Sequence, residues 1–234
     1  DRWGVFPLRG KMLNVKEASK TQILDNTEIT NLKKILGLQE GVKYKDLKKL
    51  RYGKVMVMTD QDTDGSHIKG LLINVFHTMW PELLELDYIT SMITPIVKVT
   101  KGKNVISFYN LKDYGIWKDA HNNGKGWKIK YYKGLGTSNT SEAKEYFRDI
   151  KDVTYKWTGE PSHNSMNLAF KKENADKRKV WLKKFNPDTH INLDIKDKEV
   201  PVEEFINKEL ILFSNDDNLR SIPSVIDGLK PSHR

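Results

Sequence analysis

The clearest pattern of hydrophobic and polar positions runs from residue 54 to residue 81. Residues 54–60, KVMVMTD, form a short apolar run that ends in an acid, which is typical of a buried parallel strand. After Gly65, apolar side chains recur at the spacing of one helical face until Pro81 ends the pattern. The sequence therefore predicts a strand followed directly by an amphipathic helix. The apolar positions of that helix are Ile68, Leu71, Leu72, Val75, Phe76 and Met79.

Further along, strand and helix patterns alternate. Three segments rich in tryptophan, tyrosine and β-branched residues predict strands, with glycine- or asparagine-containing turns between them. A helix follows, with Asn139 as its predicted N-cap because Glu142 stands three residues later. The alternation predicts a layered α/β domain over residues 1–155. The predicted strands are residues 93–100, 104–110 and 127–134, and the helix is residues 139–150.

The composition changes after residue 155. Residues 169–185 predict a strongly basic helix, residues 188–200 a polar connection, and residues 201–218 the entry to another helical module. We therefore predict three parts in chain order. They are an α/β domain (1–155), a basic helical linker (156–203) and the start of a further domain (204–234).

The charge balance indicates which class of binding partner to expect. Lysine and arginine outnumber aspartate and glutamate by 40 to 31, which gives a net charge of +9. Such an excess favours a polyanion, nucleic acid first, although a solvated lysine-rich surface would give the same sum. The chain contains no cysteine, which excludes disulfides, thiolate metal sites and cysteine nucleophiles. No apolar run approaches the ~20 residues of a membrane span, so we expect no membrane partner.

The junction between the predicted strand and helix carries three aspartates at alternate positions, Asp60, Asp62 and Asp64. A helix–loop–helix calcium loop would need glutamate at its twelfth position, where this chain has Leu71, and a helix before it. At the carboxyl end of a strand, alternate carboxylates can instead converge on a hard divalent cation. The pattern favours magnesium at Asp60 and Asp62, with Asp64 orienting or adding to them. A single aspartate here would need no role beyond capping the helix.

Basic residues cluster in two other places. Arg9, Lys11 and Asn14 stand around a glycine turn that suits close approach to a phosphodiester backbone, although an ordinary surface turn has the same composition. Residues 171–184 contain seven basic and two acidic residues, which fits either a nucleic-acid-binding face or a solvated helix. Residues 131–138, YYKGLGTS, lack the spacing of a phosphate-binding P-loop and predict no nucleotide site.

Taken together, five motifs stand in the order found in type IIA DNA topoisomerases, and the resemblance spans nearly the whole chain. They are most similar to the eukaryotic and large-virus topoisomerase II branch, because Gln61 and Thr63 stand where bacterial gyrases usually have alanine and valine. The resemblance implies a Rossmann-like TOPRIM domain, with a largely parallel sheet flanked by helices, then a mostly helical linker and the start of a winged-helix domain. The motifs are VFPLRGKMLNV (5–15), MTDQDTDGSHIKGLL (58–72), YYKGLGTS (131–138), FINKELILFS (205–214) and RSIPSVIDGLKPS (220–232).

The resemblance also implies an activity, the ATP-dependent passage of one DNA duplex through a transient double-strand break. The enzyme would be a homodimeric isomerase of the nucleus, or of the host cytoplasm if viral. Asp60 and Asp62 would hold Mg²⁺, with Asp64 close by, in a two-metal site completed by a glutamate outside this chain. Lys133 and Gly134 would lie in a loop near the DNA. The expected DNA contacts are Lys11, Asn14, Arg178, Lys179, Arg220 and Lys230.

Two catalytic parts of that family are not found in this sequence. The first TOPRIM strand with its glutamate would precede residue 1, and the nucleophilic tyrosine would follow the GLKPS motif. We therefore expect no catalytic residue in this chain. We expect the chain to be an internal segment that is inactive alone. ATP would bind elsewhere in the parent enzyme. Two alternatives stay open, namely another TOPRIM enzyme of primase or nuclease type, and a non-catalytic DNA-binding module.

Overall fold

The computed structural model of the chain describes residues 3–187, 189, 191 and 198–233. These residues form ten α-helices and seven β-strands. The helices are α1 (Lys20–Asp25), α2 (Thr27–Leu36), α3 (Thr63–Met79), α4 (Glu82–Glu85), α5 (Leu111–Ala120), α6 (Thr140–Arg148), α7 (Glu160–Phe170), α8 (Ala175–Leu182), α9 (Val202–Phe205) and α10 (Ile211–Ser221). The strands are β1 (Val55–Val57), β2 (Ile89–Met92), β3 (Val97–Lys101), β4 (Asn104–Phe108), β5 (Lys128–Tyr131), β6 (Asp152–Lys156) and β7 (Lys198–Pro201).

A four-stranded sheet in the order β1-β2-β6-β7 carries the main core. The pairs β1–β2 and β6–β7 are parallel, and β2–β6 is antiparallel. The expected α/β fold, a largely parallel sheet flanked by helices, is confirmed. The sequence did not predict β2, β6 or β7 individually. Strand β7 lies within residues 156–203, so the segment expected to be a helical linker also supplies the edge of this sheet.

Helix α3 is the central helix, and it begins where the predicted strand–helix junction places it. Asp62 is its N-cap, and Trp80 leaves the helical conformation just before Pro81. The predicted helix is confirmed, but its burial differs from a single amphipathic face, since 11 of its 17 residues are buried. The reason is that α3 packs into the same hydrophobic core as the sheet and also contacts α7, α10 and the π-helical turn Ile206–Leu210. More than one face of the helix is therefore covered.

The three strands predicted in the middle of the chain are confirmed as β3, β4 and β5. They form a separate antiparallel sheet in the order β4-β3-β5. The two-residue turn between β3 and β4, with Gly102 at φ +59°, dictates this arrangement, because such a turn joins antiparallel strands only. Helix α5 covers the sheet and completes its own small core of Val97, Val99, Phe108, Tyr114 and Trp117.

The remaining helix predictions are confirmed with one difference. Helix α6 has the expected capping box between Asn139 and Glu142, and helical structure runs without a gap through residues 202–221. The basic segment 169–185 is not one helix, because α7 ends at Phe170 and a short 3₁₀ turn precedes α8. Much of the predicted connection 188–200 lies outside the described residues. Within the described part, no helix is long and apolar enough to cross a membrane.

Candidate metal and DNA site

The loop between β1 and α3 presents two exposed carboxylates, each held by one backbone N–H. Asp62 Oδ1 accepts a hydrogen bond from the Gly65 N–H at 2.7 Å, which is the N-cap interaction of α3. Asp60 Oδ1 accepts one from the Leu135 N–H, also at 2.7 Å. Each carboxylate keeps its second oxygen without a hydrogen bond from the described residues. Carboxylate oxygens are among the ligands that Mg²⁺ prefers.

The loop that contacts Asp60 is the YYKGLGTS segment. Gly134 lies so close that a Cβ atom there would stand 2.5 Å from Asp60 Oδ2. Lys133, the residue before it, is exposed. The sequence predicted that this loop lies near DNA, but it gave no indication of contact with Asp60, since 75 residues separate the two bonded groups.

Asp64, the third predicted metal residue, is engaged in ion pairs. Its Oδ2 accepts from the Arg220 guanidinium at 2.9 Å, and its Oδ1 accepts from the Lys11 ammonium at 2.8 Å. The Arg220 hydrogen bond first, and the Lys11 hydrogen bond second, lower the pKa of Asp64 to about 2. The Lys11 ammonium also lies 4.6 Å from the centre of the Phe213 ring. Three predicted site residues from distant segments thus meet at one point.

The three aspartates do not form one cluster. Among the described residues, no group of three or more histidine, cysteine, aspartate or glutamate side chains is placed to hold a metal ion. Asp64 belongs to α3, where each residue turns about 100° from the last, so the alternation of a strand does not extend to it. Metal binding by Asp64 stays a prediction. Asp60 and Asp62 are the two carboxylates that each keep one oxygen without a hydrogen bond from the described residues.

Two of the predicted DNA contacts are used inside the protein. Asn14 Nδ2 donates to the Phe170 carbonyl at 3.0 Å, and Asn14 Oδ1 accepts from Asn74 Nδ2 at 2.8 Å. Arg178 donates to the Leu168 carbonyl at 3.0 Å, which satisfies the end of α7. Both side chains therefore fasten the N-terminal loop, α3, α7 and α8 together.

The other predicted contacts lie on the surface. Lys179 pairs with Asp176 at 2.7 Å and its side chain is 75% exposed, and Lys230 is exposed. A groove of about 620 Å³ runs between α3, α8 and α10. Its basic lining comes from Lys11, Arg178 and Lys179. The lining also includes Asp217 and many apolar side chains, so its excess of positive charge comes from these three residues, which are of the type that contacts a phosphate backbone.

Two further groups on α3 were not found from the sequence, and the first of them, His67, lines the groove. His67 stacks on Phe213 with ring centres 3.9 Å apart, and burial, then the nearby Lys11 charge, lowers its pKa to about 4. Lys69 is buried, and its ammonium contacts Glu209 Oε2 at 3.1 Å. Burial alone would lower the pKa of Lys69, but the Glu209 carboxylate outweighs it and raises that pKa. Ser66 donates to the same Glu209 oxygen at 3.2 Å.

Known proteins match the chain throughout. The Toprim domain family matches residues 2–94, and the C-terminal associated domain of TOPRIM, TOPRIM_C, matches residues 92–218. The chain is 53% identical to DNA topoisomerase 2-alpha of Mus musculus, an alignment that covers 100% of this chain and 16% of that protein. It is 52% identical to DNA topoisomerase 2-beta of Gallus gallus, with 100% and 15% covered.

A solved structure agrees with this. The fold is similar to the Plasmodium falciparum topoisomerase II DNA-binding, cleavage and re-ligation domain, with a TM-score of 0.88 and 49% identity over 97% of this chain and 31% of that one. The chain spans 15–16% of the length of the curated relatives named above. It belongs to the Toprim/TOPRIM_C family and corresponds over its length to a Toprim-containing segment of the eukaryotic type II DNA topoisomerases.

Proposed function

We propose that this chain is the metal- and DNA-holding part of the cleavage and religation core of a type II DNA topoisomerase. The observation that carries the proposal is the pair of open carboxylates, Asp60 and Asp62, close in the chain to the Lys11–Asp64–Arg220 group that borders a basic groove. Phosphodiester chemistry uses a metal ion together with cations that bind phosphate, and the segment 60–64 carries the two open carboxylates and the carboxylate that pairs with Lys11 and Arg220.

Asp60 and Asp62 would hold Mg²⁺. Their residue type fits, because a hydrated Mg²⁺ is commonly bound by one or two carboxylates together with a phosphate. When bound, the ion neutralises phosphate charge and stabilises the oxygen that leaves and later returns. The Gly65 and Leu135 N–H groups fix the two carboxylates, and Asp64, in the first turn of α3, pairs with Lys11 and Arg220.

The DNA would lie along the groove, with its backbone on the basic side chains. Lys11, Lys179, Arg220 and Lys230 are exposed or half-buried and can reach a phosphate. Arg178 uses one guanidinium nitrogen for backbone carbonyls and keeps further N–H donors. Replacing both Lys11 and Arg220 with glutamine should change the slope of log affinity against log salt by roughly two units.

We extend the proposal to the parent enzyme because this chain is similar to the DNA topoisomerase 2 proteins. It would act on double-stranded DNA as an ATP-dependent homodimer in the nucleus, with Mg²⁺ as the working cation. The relatives named above come from animals and Plasmodium, and they give no support to a viral host cytoplasm. A primase- or nuclease-like enzyme and a non-catalytic module are less favoured, because the relatives match the whole chain as topoisomerases.

The test uses the full-length enzyme that contains this chain. Asp60→Ala or Asp62→Ala should abolish magnesium-supported DNA cleavage and leave most of the DNA affinity, since backbone charge contacts dominate affinity. Asp119→Ala, which removes an exposed carboxylate on α5, is the matched control and should cleave normally. Wild-type cleavage by the Asp60 and Asp62 variants would refute the metal site. Absence of a 5′-phosphotyrosyl DNA adduct in the unmodified enzyme would refute the topoisomerase assignment.

A further inference from the structure

We propose that the backbone of Gly134 and Leu135 positions Asp60 for the divalent cation, so that this loop belongs to the metal site without supplying a ligand. The inference rests on the proposed function, because it requires that Asp60 holds the ion. The loop acts in two ways, through the N–H group of Leu135 and through the space that Gly134 leaves open.

The N–H group of Leu135 fixes a side chain that nothing else described restrains. Asp60 lies three residues beyond the end of β1 and is exposed. A free surface carboxylate would lose side-chain conformational entropy on binding an ion. The 2.7 Å bond from Leu135 to Asp60 Oδ1 is charge-assisted and orders the carboxylate beforehand, which leaves Oδ2 for the cation.

The loop is itself held in place, so that it can act as a fixed donor. Residues Leu135–Thr137 form a 3₁₀ turn, which the Thr137 N–H closes onto the Gly134 carbonyl at 3.0 Å. The turn lies between β5 and α6, and Ser138 Oγ contacts the Tyr146 hydroxyl at 3.2 Å. The position of the Leu135 N–H is therefore set by its own neighbourhood as well as by Asp60.

Gly134 is required by the Asp60 side chain and not by its own backbone. Its φ of −174° and ψ of −179° are extended values that any residue adopts. A Cβ atom, however, would lie 2.5 Å from Asp60 Oδ2 and 2.7 Å from Oδ1. Gly136, two residues later, has nothing within 4 Å of its Cβ position. One loop thus contains a glycine that faces the carboxylate and another that faces open space.

These contacts point to a role in metal binding more than in stability. The hydrogen bond joins groups that water can also reach, so its net contribution to stability is small, and the end of a flexible side chain can rotate away from an added Cβ at little cost. Yet that rotation would move the carboxylate from its position. Groups that orient a metal ligand typically change metal affinity by about 10–100-fold when they are lost.

The first test compares Gly134→Ala with Gly136→Ala in the full-length enzyme that contains this chain. Mn²⁺ serves as a paramagnetic substitute for Mg²⁺, and the free ion is measured by electron paramagnetic resonance. We expect Mn²⁺ affinity about 10–100-fold weaker for Gly134→Ala and unchanged for Gly136→Ala. Thermal unfolding and DNA affinity without divalent ions should be the same for both variants.

The second test removes the hydrogen bond without adding a Cβ at Gly134. Leu135→Pro deletes the N–H at the first position of the 3₁₀ turn, where proline is tolerated, and the extended Gly134 suits a residue before proline. Leu135→Ala shortens the side chain and keeps the N–H. Weaker Mn²⁺ binding is expected for Leu135→Pro and not for Leu135→Ala. In an Asp60→Asn background, Gly134→Ala should cause no further loss.

The outcomes separate the inference from the function on which it rests. If the unmodified enzyme binds Mn²⁺ through Asp60, and if Gly134→Ala and Leu135→Pro bind it equally well or better, the loop does not position Asp60 and only the inference fails. If the unmodified enzyme binds no Mn²⁺, or binds it equally well after Asp60→Asn, the metal site and the inference both fail. If one variant unfolds, the other decides. Unfolding of both would mark the loop as structural and overturn the inference.

Discussion

Two groups of ion pairs are each formed by a residue in the first two turns of α3, Asp64 in one and Lys69 in the other. The first group is exposed to water and the second is buried. The side chains of Asp64, Lys11 and Arg220 are 38–44% exposed, whereas those of Lys69 and Glu209 are 5% and 16% exposed. Exposed pairs contribute about 0–1 kcal/mol and exchange partners readily, while breaking a buried pair leaves an unpaired charge away from water. The comparison indicates that the exposed group is available to ligands and that the buried pair fixes the packing.

The two groups are also connected through one helical segment. Glu209 belongs to the π-helical turn that leads directly into α10, and Arg220 lies near the end of α10. The buried pair therefore holds the start of the helix that brings Arg220 to Asp64. A polar contact that adds little net stability can still determine which groups meet at the surface.

The strongest test of the comparison breaks the buried pair. Lys69→Met or Glu209→Gln alone should lower the free energy of unfolding by about 3–5 kcal/mol, because one polar partner stays buried. Replacing both, as Lys69→Met with Glu209→Leu, should cost much less. Lys208→Met is the matched control, since Lys208 pairs with Glu204 on a half-exposed face one residue away. Urea unfolding measures all four variants, and a loss under about 1 kcal/mol for both single variants would contradict the prediction.

A second test uses pH, because the far end of α3 carries a buried group with no carboxylate partner. His77 Nε2 lies 3.0 Å from His163 Nδ1, and the buried His77 Nδ1 has no hydrogen-bond partner among the described residues. Burial, then the charges of Lys16 and His163, lowers the pKa of His77 from 6.5 to about 3. The unfolded chain therefore takes up a proton at a higher pH than the folded chain does.

The sign of the pH effect follows from that difference. The contribution of neutral His77 is complete above pH 6.5 and is lost progressively as the pH falls towards 3. At pH 4 the loss should reach up to about 3 kcal/mol. His77→Gln should flatten this part of the stability profile, and His233→Gln, at an exposed position, should leave it unchanged. Equal profiles for wild type and His77→Gln would contradict the assignment. Asp64, whose pKa is lowered from 3.8 to about 2, should lose its own contribution only at the acid end of this limb, mainly below about pH 4.

The sequence was sufficient where the signal is local. The capping box of Asn139 and Glu142 fixes the start of α6 within four residues, and the β3–β4 hairpin needs only its two-residue turn. Five ordered motifs then identified the family that the comparisons confirm. Within the site, Asp60 and Asp62 could be named because they end a strand and begin a helix.

What the sequence could not supply depends on contacts between distant segments. Lys69 stands at the edge of the predicted apolar face of α3, where a lysine ammonium can usually reach water. Only the packing of the π-helical turn against α3 buries it with Glu209, 140 residues later. The three aspartates look equivalent in sequence, yet the helix begins at Thr63 and turns Asp64 away from the other two. Strand β2, ITSM, is buried throughout and shows no alternation, so its pattern carries no strand signal.

The smallest expected effect on stability concerns the exposed group of Asp64, Lys11 and Arg220. Asp64→Asn should change the free energy of unfolding by less than about 1 kcal/mol, because its ion pairs are open to water and screened by salt. Asp119→Asn removes the same charge from an exposed site on α5 and serves as the control. A loss of several kcal/mol for Asp64→Asn alone would show that the exposed group holds the fold as the buried pair does.

The Asp64→Asn variant should have a measurable effect on DNA binding. Asp64 pairs with both Lys11 and Arg220 in the free chain and offsets one of their two positive charges, so a phosphate must compete with its carboxylate for both cations. Without that competitor, Asp64→Asn should bind duplex DNA several-fold more tightly when no divalent ion is present, and Asp119→Asn should gain much less because it lies apart from the groove lining. Fluorescence anisotropy at a fixed salt concentration measures the difference. Equal or weaker binding by Asp64→Asn would mean that the carboxylate orders the two cations for DNA, and the exposed group would then be a fixed part of the site.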